Sequence, residues 1–187
     1  MTQHVIEELI RSRRTIKQFK PDPISIETMK ELLEVASWAP NHKLREPWQF
    51  KLFTGEGKEK LVTAWQAAKE TGKGARPMNP EKLEQLKQIP LFVVVTMPVD
   101  PRQQVFEEDF AAVSAYIQNL LLAAWGRGIG SLWNTEPVIY SPVFRDAIGV
   151  MPGEKVVAIL QFGYAEKTPL VRERTSIDEK LTIIDKN

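Results

Sequence analysis

The sequence predicts an α+β fold in which helices flank a mixed, mainly antiparallel sheet and a C-terminal arm extends away from it. Three observations carry that expectation. Helical and strand periods are interleaved along the chain without a strict βαβ repeat. Two runs, "LFVVVTM" and "KVVAILQFG", are apolar and rich in β-branched residues, as strands covered on both faces are. From Tyr164 on, "KTPLVRERTSIDEKLTIID" loses any helical period and reads as extended chain. With 187 residues, 43% of them hydrophobic and 26% charged, residues 1–187 suit one domain with a sizeable core, about 164–187 forming its arm.

Each element has its own warrant. Val5, Ile6, Leu9 and Ile10 recur at helical spacing, with Thr2 as a candidate cap. "PISIETMKELLEVASWAP" offers Ser25 as N-cap, Glu27 in the first turn, an apolar face of Met29, Leu32, Leu33 and Ala36, and Pro40 as stop. "WQFKLFT" alternates Trp48, Phe50 and Leu52 in strand fashion. A helix from about Lys58 to Glu70 presents Leu61, Val62, Trp65 and Ala68. The polar stretch 71–90, rich in Gly and Pro, reads as a lid or an excursion with a short helix after Asn79-Pro80. The long helix that includes Phe110 to Trp125 follows the first buried strand, with Gly126 or Gly128 as its cap. "GIGSLWNT" is a strand, and "SPVFRDAIG" a short helix with Ser141 as cap, Pro142 at its first position and Gly149 as stop.

Composition narrows the function. A net charge of +1 lacks the strongly basic balance of a nucleic-acid binder. With no Cys, thiolate catalysis, disulfides and Cys-ligated metals are excluded, and a reducing cytoplasm fits. Glu7 and Glu8 interrupt the apolar core that a signal peptide would need, so the chain is expected to stay inside the cell. The charge-free run from Phe110 to Gly126 contains Ser114, Gln118 and Asn119, and reads as a buried helix rather than a membrane span. Two histidines, His4 and His42, are too few for a metal cluster.

Chemistry-bearing residues gather in few places. "RSRRTIKQFK" holds Arg11, Arg13, Arg14, Lys17 and Lys20 without an acid. Guanidinium groups fit phosphate or carboxylate two-pronged, yet cations after a helix also serve its negative end, and composition alone favours that plainer role. "GRGIGS" lies between a helix and a strand, the reverse of the order in a dinucleotide loop. The pairs Glu7/Glu8 and Glu107/Glu108 point to different sides of their helices and suit solvated faces. Trp133, Asn134 and Thr135 end a strand, where an aromatic and an amide can hold a planar ligand, although core packing is the default for Trp133. Anion-binding arginines and hydrogen-bonding loop ends without a side-chain nucleophile point to chemistry carried by a cofactor.

The stretches "RSRRTIKQF", "LLEVASWAPNHKLREPWQF", "GIGSLWNT" and "VVAILQFGYAEKTPLVRER" together resemble the FMN-dependent nitroreductase family, in order and over nearly the whole chain. "APNHK" and the short length are similar to its minimal NAD(P)H nitroreductases. The resemblance implies a three-layer sandwich and a homodimer with shared active sites, the C-terminal arm reaching the partner. It implies FMN as cofactor, NADH or NADPH as donor, and nitroaromatics, quinones or similar electron-poor acceptors reduced in a ping-pong cycle. It places Arg13, Arg14 and Thr15 at the FMN phosphate and flavin edge, with Arg172 or Arg174 from the arm. Trp38 and His42 would enter the flavin pocket across the interface, and Trp133, Asn134 and Thr135 would run along the ring. No residue is singled out as catalytic, because the chemistry sits on the flavin. Enone reduction or reductive dehalogenation on the same fold, or flavin sensing with little turnover, are the alternatives.

Overall fold

The computed structural model describes residues 3–71 and 75–185. The candidate cap Thr2 and residues 72–74 of the predicted lid lie outside the described residues. Among the described residues six α-helices flank one sheet: α1 Gln3–Ser12, α2 Ile26–Ala36, α3 Gly57–Glu70, α4 Pro80–Gln88, α5 Gln103–Gly126 and α6 Pro142–Ala147. The strands are β1 Gln49–Thr54, β2 Leu91–Pro98, β3 Gly130–Asn134 and β4 Glu154–Gly163, in the order β1-β2-β4-β3. All three pairings are antiparallel, and the parallel component of the expected mixed sheet is a single bridge between Thr15 and Ser131.

The caps follow the sequence chemistry. Ser25 Oγ accepts from the Thr28 amide at 3.0 Å, Asn79 Oδ1 from Glu81 at 2.8 Å, and Ser141 Oγ from Phe144 at 3.4 Å. Each supplies an acceptor to a helix N-terminus that has amides to spare. At the end of α5 Gly128 takes the positive φ of 74°, and its amide closes on Trp125 O at 3.0 Å.

The alternation of β2 sorts the core into two layers. Leu91, Val93, Val95 and Met97 face α2 and α5 with Leu32, Tyr116 and Leu120. Phe92 and Val94 face α3, α4 and α6 with Trp65, Leu86 and Phe144. Side chains on both faces of β2 are thus fully buried, each contributing about 1.5–3 kcal/mol of transfer free energy. The result is the three-layer sandwich with β2 and β4 at its centre.

The segment after α1 docks on the sheet end through a tight fit. The Ile16 amide donates to Ser131 O at 2.9 Å and the Lys20 amide to Tyr164 O at 2.8 Å. A Cβ on Gly130 would stand 2.6 Å from Ile16 Cγ1, so only glycine lets the basic turn lie this close to β3. Not every predicted apolar face is covered: Val5, Ile6 and Ile10 of α1 are exposed, as are Leu170, Val171, Ile183 and Ile184 of the arm.

Candidate functional site

A cleft of about 640 Å³ opens between the basic turn and the arm. Arg13, Arg14, Thr15 and Lys17 form one wall, Lys167, Arg172 and Arg174 the other, and Gln85 of α4 closes one side. Antiparallel pairing of Phe19 with Ala165, together with the bond from the Glu166 amide to Gln18 O at 3.1 Å, holds the walls together. Among the described residues no carboxylate lines the cleft. It is a concentration of positive charge in a chain whose overall balance is nearly neutral.

The arginines divide their labour. Arg14 Nη1 donates to the carbonyls of Arg11 at 2.7 Å and Arg13 at 2.8 Å, which satisfies the negative end of α1. The plainer role considered for the whole basic turn thus falls to Arg14. Arg13 is half-buried, and its guanidinium has no hydrogen-bond partner among the described residues. Burial first, then the charges of Arg14 and Arg174, pull its pKa below the ordinary arginine value. A partly desolvated cation among cations is a poor arrangement for stability and a good one for an incoming anion. Of the two arm arginines, Arg174 is the one whose charge bears on Arg13, and its Nη1 donates to Arg172 O at 3.0 Å.

The other candidates lie elsewhere. Trp38 is 87% exposed, His42 is exposed as well, and neither lines the cleft of its own chain. Trp133 packs its ring on the α2/α5 side of the core, and its Nε1 is buried without a hydrogen-bond partner among the described residues, as is Ser131 Oγ on the same strand. Asn134 is committed to its own turn: Oδ1 accepts from the Glu136 amide at 2.7 Å and Nδ2 donates to Glu136 Oε1 at 3.3 Å. Thr135 beside it is exposed. The structure therefore gathers Arg13, Arg14, Thr15, Arg172 and Arg174 in one cleft, joins them to the base of β3 through the Thr15–Ser131 bridge, and leaves Trp38 and His42 apart.

Sequence reasoning missed two features. Lys167 and Gln85 line the cleft, but a lysine in a basic arm and a glutamine on a polar helix carry no distinguishing pattern. The other is Arg45, whose Nε and Nη2 hold both oxygens of Asp109 at 2.8 and 2.9 Å. Asp109, 2% exposed, sits one helical turn before Ala112 and Val113, and an acid on the apolar stripe of a helix was a readable signal. Arg45 fixes the corner 38–46, where Lys43, Leu44 and Glu46 all hold positive φ near 50°. No helix among the described residues is long and apolar enough to cross a membrane, and no group of metal-ligating side chains occurs among them.

Comparison with known proteins gives these residues a setting. The profile of the nitroreductase family matches residues 10–164. YfhC of Bacillus subtilis (strain 168), assigned as an NAD(P)H nitroreductase, is 37% identical over 187 residues, covering 96% of this chain and 95% of its own. The crystal structure of a nitroreductase-like family protein from Bacillus cereus shares 40% identity and superposes with a TM-score of 0.90, over 97% of this chain and 96% of the other. The FMN-dependent nitroreductase NfnB from Mycobacterium smegmatis, solved with NADPH, has the same fold at 20% identity and a TM-score of 0.74, over 97% of this chain and 99% of its own.

Proposed function

We propose, from the premise that this chain belongs to the nitroreductase family, that it is an FMN-dependent NAD(P)H oxidoreductase reducing nitroaromatics, quinones or similar electron-poor acceptors. The observation that carries this reading is the half-buried Arg13, which among the described residues has no hydrogen-bond partner and stands in a cleft lined by six cations and no acid. Such a donor set fits a phosphate monoester, whose oxygens accept from guanidinium groups in parallel pairs.

Arg13 and Arg174 hold the phosphate of FMN, with Arg14 and Arg172 beside them and the Thr15 backbone fixed by its bridge to β3. Trp133, Asn134 and Thr135 follow along β3 toward the ring, and the unpartnered Trp133 Nε1 supports a polar group nearby. The chemistry that FMN supplies when bound is two-electron transfer between a nicotinamide donor and the acceptor. The protein's part is to bind, orient and exclude water, and no side chain of the cleft is placed as a nucleophile.

The site is shared between two copies of the chain. The exposure of Trp38 and His42, away from their own cleft, supports delivery of the 38–46 corner to a partner. The uncovered apolar residues of α1 and of the arm 164–187 support the same assembly, in which the arm reaches across. His42 binds the cofactor rather than feeding it protons. Reducing conditions suit a chain without cysteine, and the cytoplasm is its setting.

The test is an anaerobic visible spectrum of the protein with FMN, before and after NADPH or NADH. A flavin spectrum that bleaches is the expected result. A protein that remains colourless after FMN is added sinks the proposal, and a monomer by light scattering that still holds FMN removes the shared site alone.

A further inference from the structure

One side of β3 is open. The order β1-β2-β4-β3 makes it an edge strand with β4 as its partner. The Ile16 amide donates to Ser131 O on the free side, and residues two apart on an antiparallel strand turn their peptide groups the same way. The amide and carbonyl of Trp133 therefore face that side too, where no backbone group among the described residues pairs with them. The open edge stops at Asn134, and the side chain that holds its end, Glu136, stands just beyond it.

Glu136 ties three elements together. Its Oε1 accepts from Asn134 Nδ2 at 3.3 Å, while the Glu136 amide donates to Asn134 Oδ1 at 2.7 Å. Its Oε2 lies 3.1 Å from Lys69 Nζ of α3, and its Oε1 lies 3.8 Å from Lys82 Nζ of α4. Lys82 and Gln85 are three positions apart and share a face of α4, and Gln85 closes one side of the cationic cleft. One helix therefore meets the cleft through Gln85 and the far end of β3 through Lys82. The Asn134 bonds alone would make the turn, and partly exposed ion pairs add little to stability. What the two lysines add is a fixed placement of that turn against two separate helices.

We infer that Glu136 is a positioning residue: through Asn134, Lys69 and Lys82 it fixes the end of β3 against α3 and α4, and so sets how the flavin ring rests on the open edge of that strand. The inference rests on the flavin reading above, in which the ring follows Trp133, Asn134 and Thr135. A long cofactor needs two points of support. The arginines of the cleft grip its phosphate, and Glu136 acts at the other end without touching that grip. The two ends then differ in what they control. Phosphate contacts govern affinity, whereas transfer to the ring depends on placement, and a shift of about 1 Å can cost about 100-fold in rate.

The test combines FMN titration, the visible circular dichroism of the bound flavin, and the anaerobic rate at which NADPH or NADH bleaches it. Glu136→Ala is expected to hold FMN within about threefold of the parent affinity, with altered dichroism and a reduction rate at least about tenfold lower. The double variant Lys69→Met/Lys82→Met leaves Glu136 and Asn134 in place and should move both readouts in the same direction. Glu136→Gln keeps an acceptor for Asn134 and should fall between the parent and Glu136→Ala. If Glu136→Ala does not fold, these two milder variants carry the test. Parent dichroism and parent rate in the variants that hold FMN overturn the inference and leave the flavin reading standing. A loss of FMN affinity with unchanged dichroism and rate in the bound fraction marks a merely structural role and overturns it too. A lysine double variant that matches the parent removes the coupling to α3 and α4 and overturns it as well. A parent protein that binds no FMN fails the flavin reading itself, and this inference falls with it.

Discussion

Arg45 and Asp109, 64 positions apart in sequence, meet through two parallel bonds of 2.8 and 2.9 Å that tie the 38–46 corner to the first half of α5. The carboxylate is buried and the guanidinium about one-third exposed, with Asp100 a further 3.8 Å contact. The pair holds a loop whose backbone is unfavourable on its own, since a non-glycine residue at positive φ costs roughly 1–2 kcal/mol. Trp38 and Leu44 of this corner face outward, 87% and 80% exposed.

Arg45→Ala leaves Asp109 buried without its partner. Breaking a fully buried pair costs about 3–5 kcal/mol, and because Arg45 is partly exposed a smaller but measurable loss is expected. Urea denaturation of the two proteins measures it, with a loss below about 0.5 kcal/mol, the range of an ordinary surface change, counting against the latch.

Arg13→Ala and Arg14→Ala should separate. Losing Arg13 removes a charge-assisted contact and weakens FMN binding by about 1.5–3 kcal/mol, roughly 10- to 100-fold in Kd. Losing Arg14 also uncaps α1 and costs about 0.5–1 kcal/mol of stability. Fluorescence titration with FMN reads the first effect and thermal unfolding the second. Equal FMN affinity of Arg13→Ala and the parent protein contradicts the phosphate assignment.

Gly130→Ala drives a methyl group to 2.6 Å from Ile16 Cγ1. Overpacking of this kind costs about 1–3 kcal/mol, and here it lifts the basic turn off β3. Lower stability together with weaker FMN binding is expected. The further change Ile16→Ala removes Cγ1, and recovery of FMN binding in that double variant would place the cause at that contact.

Glu136 predicts a pH dependence. Burial raises its pKa, but hydrogen bonds from Lys69 and Asn134 and the charges of Lys69 and Lys82 more than offset this, so the folded pKa lies below the ordinary value. The unfolded chain binds the proton more readily, so the stabilisation is present above the unfolded pKa and is lost as pH falls through the folded one. Lys69 lies 3.1 Å away and Lys82 3.8 Å, both partly exposed, which limits the contribution to about 0.5–1 kcal/mol. Glu136→Gln should therefore lose stability at neutral pH and match the parent in acid. A constant difference between the two denaturation curves across that range refutes the linkage.

Local chemistry is written into neighbouring residues and was legible without the structure. Ser25, Asn79 and Ser141 declare their helices because a cap needs an acceptor only two or three residues from the amide it serves. The runs of β2 and β4 declare their burial because both faces are apolar. The basic turn was legible as a cluster of cations suited to an anion or, on composition alone, to a helix end, and the arm's arginines were tied to a phosphate only by the family resemblance. That they face each other follows from pairing at Phe19 and Ala165, and that Arg13 rather than Arg14 is available follows from carbonyl bonds at a helix end. Neither is encoded in the spacing of arginines. The corner "WAPNHKLREPWQF" is marked in sequence by two prolines and two tryptophans, while the Asp109 that holds its Arg45 lies 64 residues further along on α5. Periodicity and capping report interactions between near neighbours, whereas the cleft and its latch depend on distant segments brought together by a tightly packed core, and only the tertiary structure decides which side chains then remain free to bind.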